Sequence, residues 1–183
     1  DAPRNATCRT TVPTELLSLS REDFQRLIKV RFSLRHDLDR SIGRVELLRQ
    51  VPLFADMDTR QVQALAARMR EESYAPGDLL IRHGDEGETF YVIESGTIQT
   101  VVEQDGGERL VAERGPGEYV GEIALLMRVP RTATVRARTA VQALALDRED
   151  FDELVTSHLF ISRGLESEAS RRMLHLSQVA RTP

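Results

Sequence analysis

From residue 79 to residue 146 the chain alternates short apolar runs, rich in β-branched and aromatic side chains, with glycines and charged residues. The runs fall at residues 79–81, 89–93, 97–102, 109–112, 132–137 and 141–146, the last alternating partly with period two. Gly77, Gly84, Gly87, Gly96, Gly106, Gly107, Gly115, Gly117 and Gly121 punctuate them. Pro76-Gly77 and Gly115-Pro116-Gly117 predict turns, and Asp105-Gly106-Gly107 predicts a hairpin loop. Short strands at regular spacing with turn signals between them predict a sandwich or closed roll.

Helical periodicity brackets this region. Asp58 predicts an N-cap for a helix over residues 59–69, whose apolar stripe is Val62, Leu65, Ala66 and Met69. Asp147 precedes a second helix over 148–155, with Glu149 and Asp150 in the first turn, where the helix dipole favours acids. Leu165, Ala169, Met173, Leu174 and Leu176 predict a further helix over 164–179. Upstream, Phe24, Leu27, Ile28, Leu34, Leu38, Ile42, Val45 and Leu48 predict helices between residues 21 and 50, with a break near Gly43.

The chain also repeats itself at a fixed offset. Pro3-Arg4-Asn5-Ala6-Thr7-Cys8-Arg9 aligns without gaps on Pro130-Arg131-Thr132-Ala133-Thr134-Val135-Arg136, and Leu17-Ser18-Leu19-Ser20-Arg21-Glu22-Asp23-Phe24 on Leu144-Ala145-Leu146-Asp147-Arg148-Glu149-Asp150-Phe151.

Residues 121–134 carry the candidate chemistry. Gly121 has no Cβ and Ala124 only a methyl, so an anion can approach the N–H groups that open a short helix, where partial positive charge favours phosphate. Arg131 offers a planar fork of donors that matches two phosphate oxygens. Glu122 would repel a phosphate but suits a ribose hydroxyl. A phosphate cradle, a hydroxyl acceptor and a counter-charge together describe a sugar-phosphate site. Taken alone, the motif is also compatible with an ordinary turn bearing a surface ion pair.

Gly121-Glu122-Ile123-Ala124-Leu125 followed by Pro130-Arg131-Thr132-Ala133-Thr134 resembles the phosphate-binding cassette of the cyclic nucleotide-binding domain family, and the resemblance extends over roughly residues 44–160. Val120 stands where the family often has Phe. The resemblance implies a β-roll (a jelly-roll-like double-stranded β-helix) with N- and C-terminal helices. It implies that the backbone of Gly121, Glu122, Ile123 and Ala124 holds the cyclic phosphate, that the Glu122 side chain binds the ribose 2′-hydroxyl and that Arg131 pairs with the phosphate. Thr132 offers a hydroxyl either to the guanine amino group of a syn base or to the phosphate, and Ala133 closes the ligand-binding segment. Val111 and Ala112 fall on strand positions that line the base. Met173, Leu174 and Leu176 are lid candidates on a helix that swings over the base, with plain core packing as the alternative. The expected organisation is a remnant of a preceding cyclic nucleotide-binding repeat at 1–28, a helical linker at 29–50, a complete domain at 51–160 and the C-terminal helix, a lid candidate, at 161–183. The linker transmits a binding signal or serves as a simple amphipathic or dimer contact. Arg4 would match Arg131, yet no Gly-Glu cassette precedes it. The chain is therefore expected to be a piece of a tandem-domain protein, with residues 1 to about 20 disordered or paired elsewhere, because partial strands leave an open edge.

Composition narrows the function. A net charge of −4 argues against broad binding to nucleic acid or acidic membrane. Lys29 is the single lysine, a bias that points to a GC-rich, bacterial genome. Cys8 is the single cysteine, so no intrachain disulfide can form and a reducing cytoplasm is natural. No apolar run approaches membrane-spanning length, and His36, His83, His158 and His175 have no metal-ligand spacing. No nucleophile elbow or nucleotide-triphosphate loop is present, so the sequence reads as a regulatory binding domain and not an enzyme. The leading reading is a sensor of cAMP or cGMP, cAMP favoured, controlling an attached effector through its helices and pairing in a homodimer through them. A transcription regulator would need a helix-turn-helix behind the roll, for which too few residues follow. The alternative is a roll kept for docking or dimerisation.

Overall fold

The computed structural model describes residues 9–15, 18–25, 42–104 and 107–179. The chain divides into two compact units, Asp1–Arg40 and Ser41–Pro183. In the first, residues 21–25 are helical. The Ser20 hydroxyl accepts from the Asp23 N–H at 3.0 Å, as an N-cap does. This helix begins at Arg21, which the internal repeat aligns with Arg148. Phe24 is exposed. Residues 1–8, Leu27, Ile28, Leu34, Leu38 and the Asp105-Gly106 part of the expected hairpin lie outside the described residues.

The second unit is a roll of two four-stranded antiparallel sheets. The strands are β1 (Arg70–Tyr74), β2 (Leu79–Ile81), β3 (Thr89–Ser95), β4 (Ile98–Gln104), β5 (Gly107–Arg114), β6 (Tyr119–Val120), β7 (Thr134–Ala137) and β8 (Val141–Asp147). One sheet runs β1-β8-β3-β6 and the other β2-β7-β4-β5. The mainly β roll expected from the glycine-punctuated runs is therefore the fold observed. Two of its strands carried no such signal. In β1, Arg-Glu-Glu-Ser-Tyr is polar throughout because it pairs at an edge with β8, and β6 is only two residues long.

The incomplete alternation of β8 has a structural cause. Ala143 and Ala145 pack between the sheets with Tyr91, Ile93, Ile98 and Val135. Leu144 and Leu146 point the other way, into a cluster with Phe90, Val92, Phe151, Leu154 and the helices. A strand buried on both faces reads as a nearly continuous apolar run.

The helices are α1 (described residues 42–50), α2 (Thr59–Arg68), α3 (Glu122–Met127), α4 (Arg148–Ser157) and α5 (Leu159–Val179), with a 3-10 turn at Pro52–Phe54. Helix α1 runs through Gly43, so the break expected near that glycine does not fall on it. Within α1, Leu48 is buried while Ile42 is exposed. Asp58 caps α2 in a capping box: its carboxylate accepts from the Gln61 N–H at 2.9 Å and the Gln61 side chain accepts from the Asp58 N–H at 2.8 Å. Val62, Leu65, Ala66 and Met69 are all buried, as their spacing predicts. Asp147 is the N-cap of α4, but its side chain makes no capping bond and pairs with Arg70 instead. Helix α5 starts five residues before the expected 164.

Candidate functional site

Helix α3 and the turn before it bring the cassette together. Gly121 has φ +97°, a conformation an L side chain adopts only with strain, and a Cβ there would lie 2.7 Å from the Thr89 carbonyl and 2.8 Å from Arg131 Nη1. Gly87 serves the same packing from the other side, since its Cβ would fall 2.5 Å from the Ala124 methyl. The close approach of three segments therefore requires glycine at both positions.

Arg131 is anchored by its backbone as well as its side chain. Its N–H donates to the Asp85 carbonyl at 2.8 Å, and its carbonyl accepts from the Gly84 N–H at 2.9 Å. Nη1 donates to the Gly121 carbonyl at 3.0 Å and Nη2 to the Thr89 carbonyl at 2.7 Å. The residue is 6% exposed. Among the described residues, no carboxylate forms an ion pair with it. Burial pulls its pKa down from the usual arginine value. A buried guanidinium held by two neutral carbonyls is a cation lacking a counter-ion.

Glu122, in the first turn of α3, is 1% exposed. Its Oε1 accepts from Arg172 Nη1 at 2.8 Å. Burial pushes the carboxyl above the ordinary carboxylate value, against the pull of Arg172. Arg172 itself comes from α5. It also donates to the Tyr119 carbonyl at 3.0 Å and to Glu168 at 2.6 Å, and stacks 4.6 Å over the Tyr119 ring. Although burial works against its charge, the Glu122 and Glu168 carboxylates hold its pKa above the usual value. Helix α5 thus places its own cation on the buried carboxylate at the start of α3.

These groups line one cavity of about 190 Å³. Gly121, Glu122, Ile123, Ala124, Arg131, Thr132 and Ala133 form one side of it, and Val111 and Ala112 of β5 another. Of the three lid candidates, only Leu176 lines it, packed with Val102, Ile123, Ala133 and Ala169. Met173 packs against that cluster without lining the cavity, and Leu174 is 60% exposed. This placement has a helical cause. The buried positions of α5 are Ile161, Leu165, Ala169 and Leu176, and residue 174 lies on the opposite face.

The sequence reading missed Thr100, Arg114, Glu168, Arg171, Arg172 and His175, which also line the cavity. A signal for Arg172 was present. The steps 161, 165, 169, 172 and 176 form one helical stripe, and an arginine on an apolar stripe implies a buried acidic partner. Among the described residues, no group of three His, Cys, Asp or Glu could hold a metal ion. No described helix is long and apolar enough to cross a membrane.

Residues 71–158 match the family model of the cyclic nucleotide-binding domain. These residues form a cyclic nucleotide-binding domain. The chain is 32% identical over 156 residues to a cAMP-dependent protein kinase regulatory subunit from Blastocladiella emersonii, covering 85% of the chain and 38% of the relative. Among solved structures, it resembles the regulatory domain of Toxoplasma gondii PKA with cAMP, with 35% identity and a TM-score of 0.60, covering 63% of this chain and 44% of that one. It also resembles the regulatory subunit of a cAMP-independent protein kinase A from Trypanosoma brucei, with 30% identity and a TM-score of 0.64, covering 72% and 49%. The chain spans about two fifths of the length of the curated regulatory subunits it matches. The roll is shared by a regulatory domain solved with cAMP and by the regulatory subunit of a cAMP-independent kinase.

Proposed function

We propose that this cyclic nucleotide-binding domain is a sensor whose ligand is a purine 3′,5′-cyclic nucleotide, with cAMP preferred over cGMP. The observation that carries the reading is Arg131: a buried guanidinium, facing the cavity beside Gly121 and Ala124, with no carboxylate ion pair among the described residues. A cyclic phosphate supplies the missing anion. The ribose 2′-hydroxyl takes the Glu122 carboxylate, and Val111, Ala112 and Leu176 border the base. The similarity to cAMP-dependent kinase regulatory subunits supports cAMP.

Because Arg172 occupies Glu122, the ligand's hydroxyl competes with α5. Ligand binding then favours an arrangement of α5 in which Arg172 has left Glu122, and this differential affinity drives the change. The moving helix relays the signal to an effector attached to or associated with the domain, and the helical segments also support a homodimer. The single cysteine supports a cytoplasmic setting and the arginine bias a bacterial source. The net charge of −4 disfavours nucleic acid and acidic membrane as partners.

Calorimetric titration with cAMP, cGMP and 5′-AMP tests the reading. Micromolar or tighter binding of a cyclic form, with 5′-AMP much weaker, is expected. No heat and no thermal shift with either cyclic nucleotide, from folded protein, refutes it and leaves the roll as a docking or dimerisation module.

A further inference from the structure

Arg148, the first residue of α4, is not among the residues lining the cavity, yet it grips the segment that holds Arg131. That segment is residues 84–89. Gly84 and Asp85 hydrogen-bond the Arg131 backbone, and the Thr89 carbonyl accepts from Arg131 Nη2. Between them, Gly87 packs against the guanidinium itself: a Cβ there would lie 3.4 Å from both Cζ and Nε of Arg131. Gly87 and Glu88 are the two residues that Arg148 takes hold of. Its N–H donates to the Glu88 carbonyl at 2.9 Å, its Nε to both Glu88 carboxylate oxygens at 3.1 Å, and its Nη2 to the Gly87 carbonyl. The Arg148 side chain is 27% exposed and that of Glu88 60%. An ion pair so open to solvent contributes little to stability. The half-buried bond from the guanidinium to the Gly87 carbonyl therefore calls for another reason.

The connection from β2 to β3 contains both Gly84 and Gly87, and glycine brings more backbone freedom than any other residue. Arg131 meets a phosphate in one geometry only if the backbone packed against it also keeps one geometry. Arg148 supplies that constraint from α4, sixty residues along the chain, because one planar fork spans two successive residues of the connection. The two guanidiniums lie near one another. After burial, the Arg148 charge is a further pull down on the Arg131 pKa, with Tyr91, Glu122 and Glu88 acting the other way. We propose that Arg148 is a positioning residue for the ligand's phosphate: by clamping Gly87 and Glu88 to α4, it holds the Arg131 guanidinium at the angle the phosphate needs. This rests on the sensor reading and adds to its site a residue that the ligand never touches.

The test compares Arg148→Met and Arg148→Lys with Arg68→Met. Arg68 ties α2 to α4 through Asp150 and Glu153, so its loss loosens α4 without cutting the bond to Gly87. Calorimetry with cAMP should show affinity at least about tenfold lower in Arg148→Met, the equivalent of one charge-assisted bond to the phosphate. Arg148→Lys, which keeps the charge but not the fork, should fall between that variant and wild type. Arg68→Met should stay within about twofold of wild type. In ligand-free protein, NMR should show the Arg131 side-chain N–H protons exchanging with water faster in both Arg148 variants, and no faster in Arg68→Met. Affinity of Arg148→Met within about twofold of wild type overturns the proposal and leaves the sensor reading intact. Equal losses in Arg148→Met and Arg68→Met overturn it too, since they mark a general loosening of α4. If Arg148→Met does not fold, Arg148→Lys decides, and wild-type affinity in that variant overturns the clamp. Failure of wild-type protein to bind either cyclic nucleotide refutes the sensor reading, whereas unchanged Arg131 exchange in the Arg148 variants refutes the clamp independently of any ligand.

Discussion

Replacing Arg131 with methionine should separate what the arginine does for the ligand from what it does for the fold. Of its five N–H donors, two hydrogen-bond the Gly121 and Thr89 carbonyls and three remain. Two of those reaching a phosphate as charge-assisted bonds, at roughly 1.5–3 kcal/mol each, amount to about 3–6 kcal/mol. At 1.4 kcal/mol per tenfold, that is on the order of 10²–10⁴ in affinity. The free protein has a different balance. The substitution orphans two carbonyls, costing about 1–3 kcal/mol each, but it also removes a buried cation whose replacement by an apolar side chain of similar volume is often neutral or stabilising. Stability without ligand should therefore change by no more than about 2 kcal/mol, while binding nearly vanishes. Calorimetry with cAMP and thermal melts with and without nucleotide read both effects. A cAMP affinity within about threefold of wild type refutes the assignment of Arg131 to the phosphate.

Further outcomes follow from the same geometry. Arg172→Gln removes the cation that competes with the ribose for Glu122. Nucleotide affinity should rise by roughly three- to tenfold while the melting temperature falls, because breaking a buried pair strands its partner. Weaker nucleotide binding in that variant contradicts the competition. Gly121→Ala forces a Cβ against the Thr89 carbonyl at positive φ, so a loss of about 1–3 kcal/mol in denaturant unfolding is expected; unchanged stability would mean the turn relaxes freely. Burial places the Glu122 pKa above its ordinary value, so the folded protein takes up this proton more readily than the unfolded chain. This carboxyl therefore disfavours folding above its raised pKa, and the penalty disappears as pH falls through that value toward the unfolded one. Nucleotide affinity moves the other way, weakening as acid removes the carboxylate that accepts the ribose hydroxyl. Titrations across this range should reveal an acid limb in wild-type protein that Glu122→Gln lacks.

Local chemistry made much of this protein legible in advance. The capping box at Asp58, the buried stripe of α2 and six of the eight strands follow from spacing and turn residues, because those signals act within a few positions along the chain. The Gly-Glu cassette and Arg131 were readable for the same reason, since they stand only ten positions apart and line one cavity. What sequence spacing could not supply was everything arising from contact between distant segments. Polar β1 is a strand only because β8 lies beside it, and β8 hides its alternation because helices cover its second face. Leu174 has the composition of a lid residue, but the rotation of α5 turns it to solvent and brings Arg172 onto Glu122, fifty residues away in sequence. Thr100 and Arg114 become a hydrogen-bonded pair only when β4 and β5 are in register. Side-chain type and local spacing thus determined which chemistry the chain carries. The packing of α5 and the sheet register decided which charges meet, because a buried charge is governed by its three-dimensional neighbours and not by its neighbours along the chain.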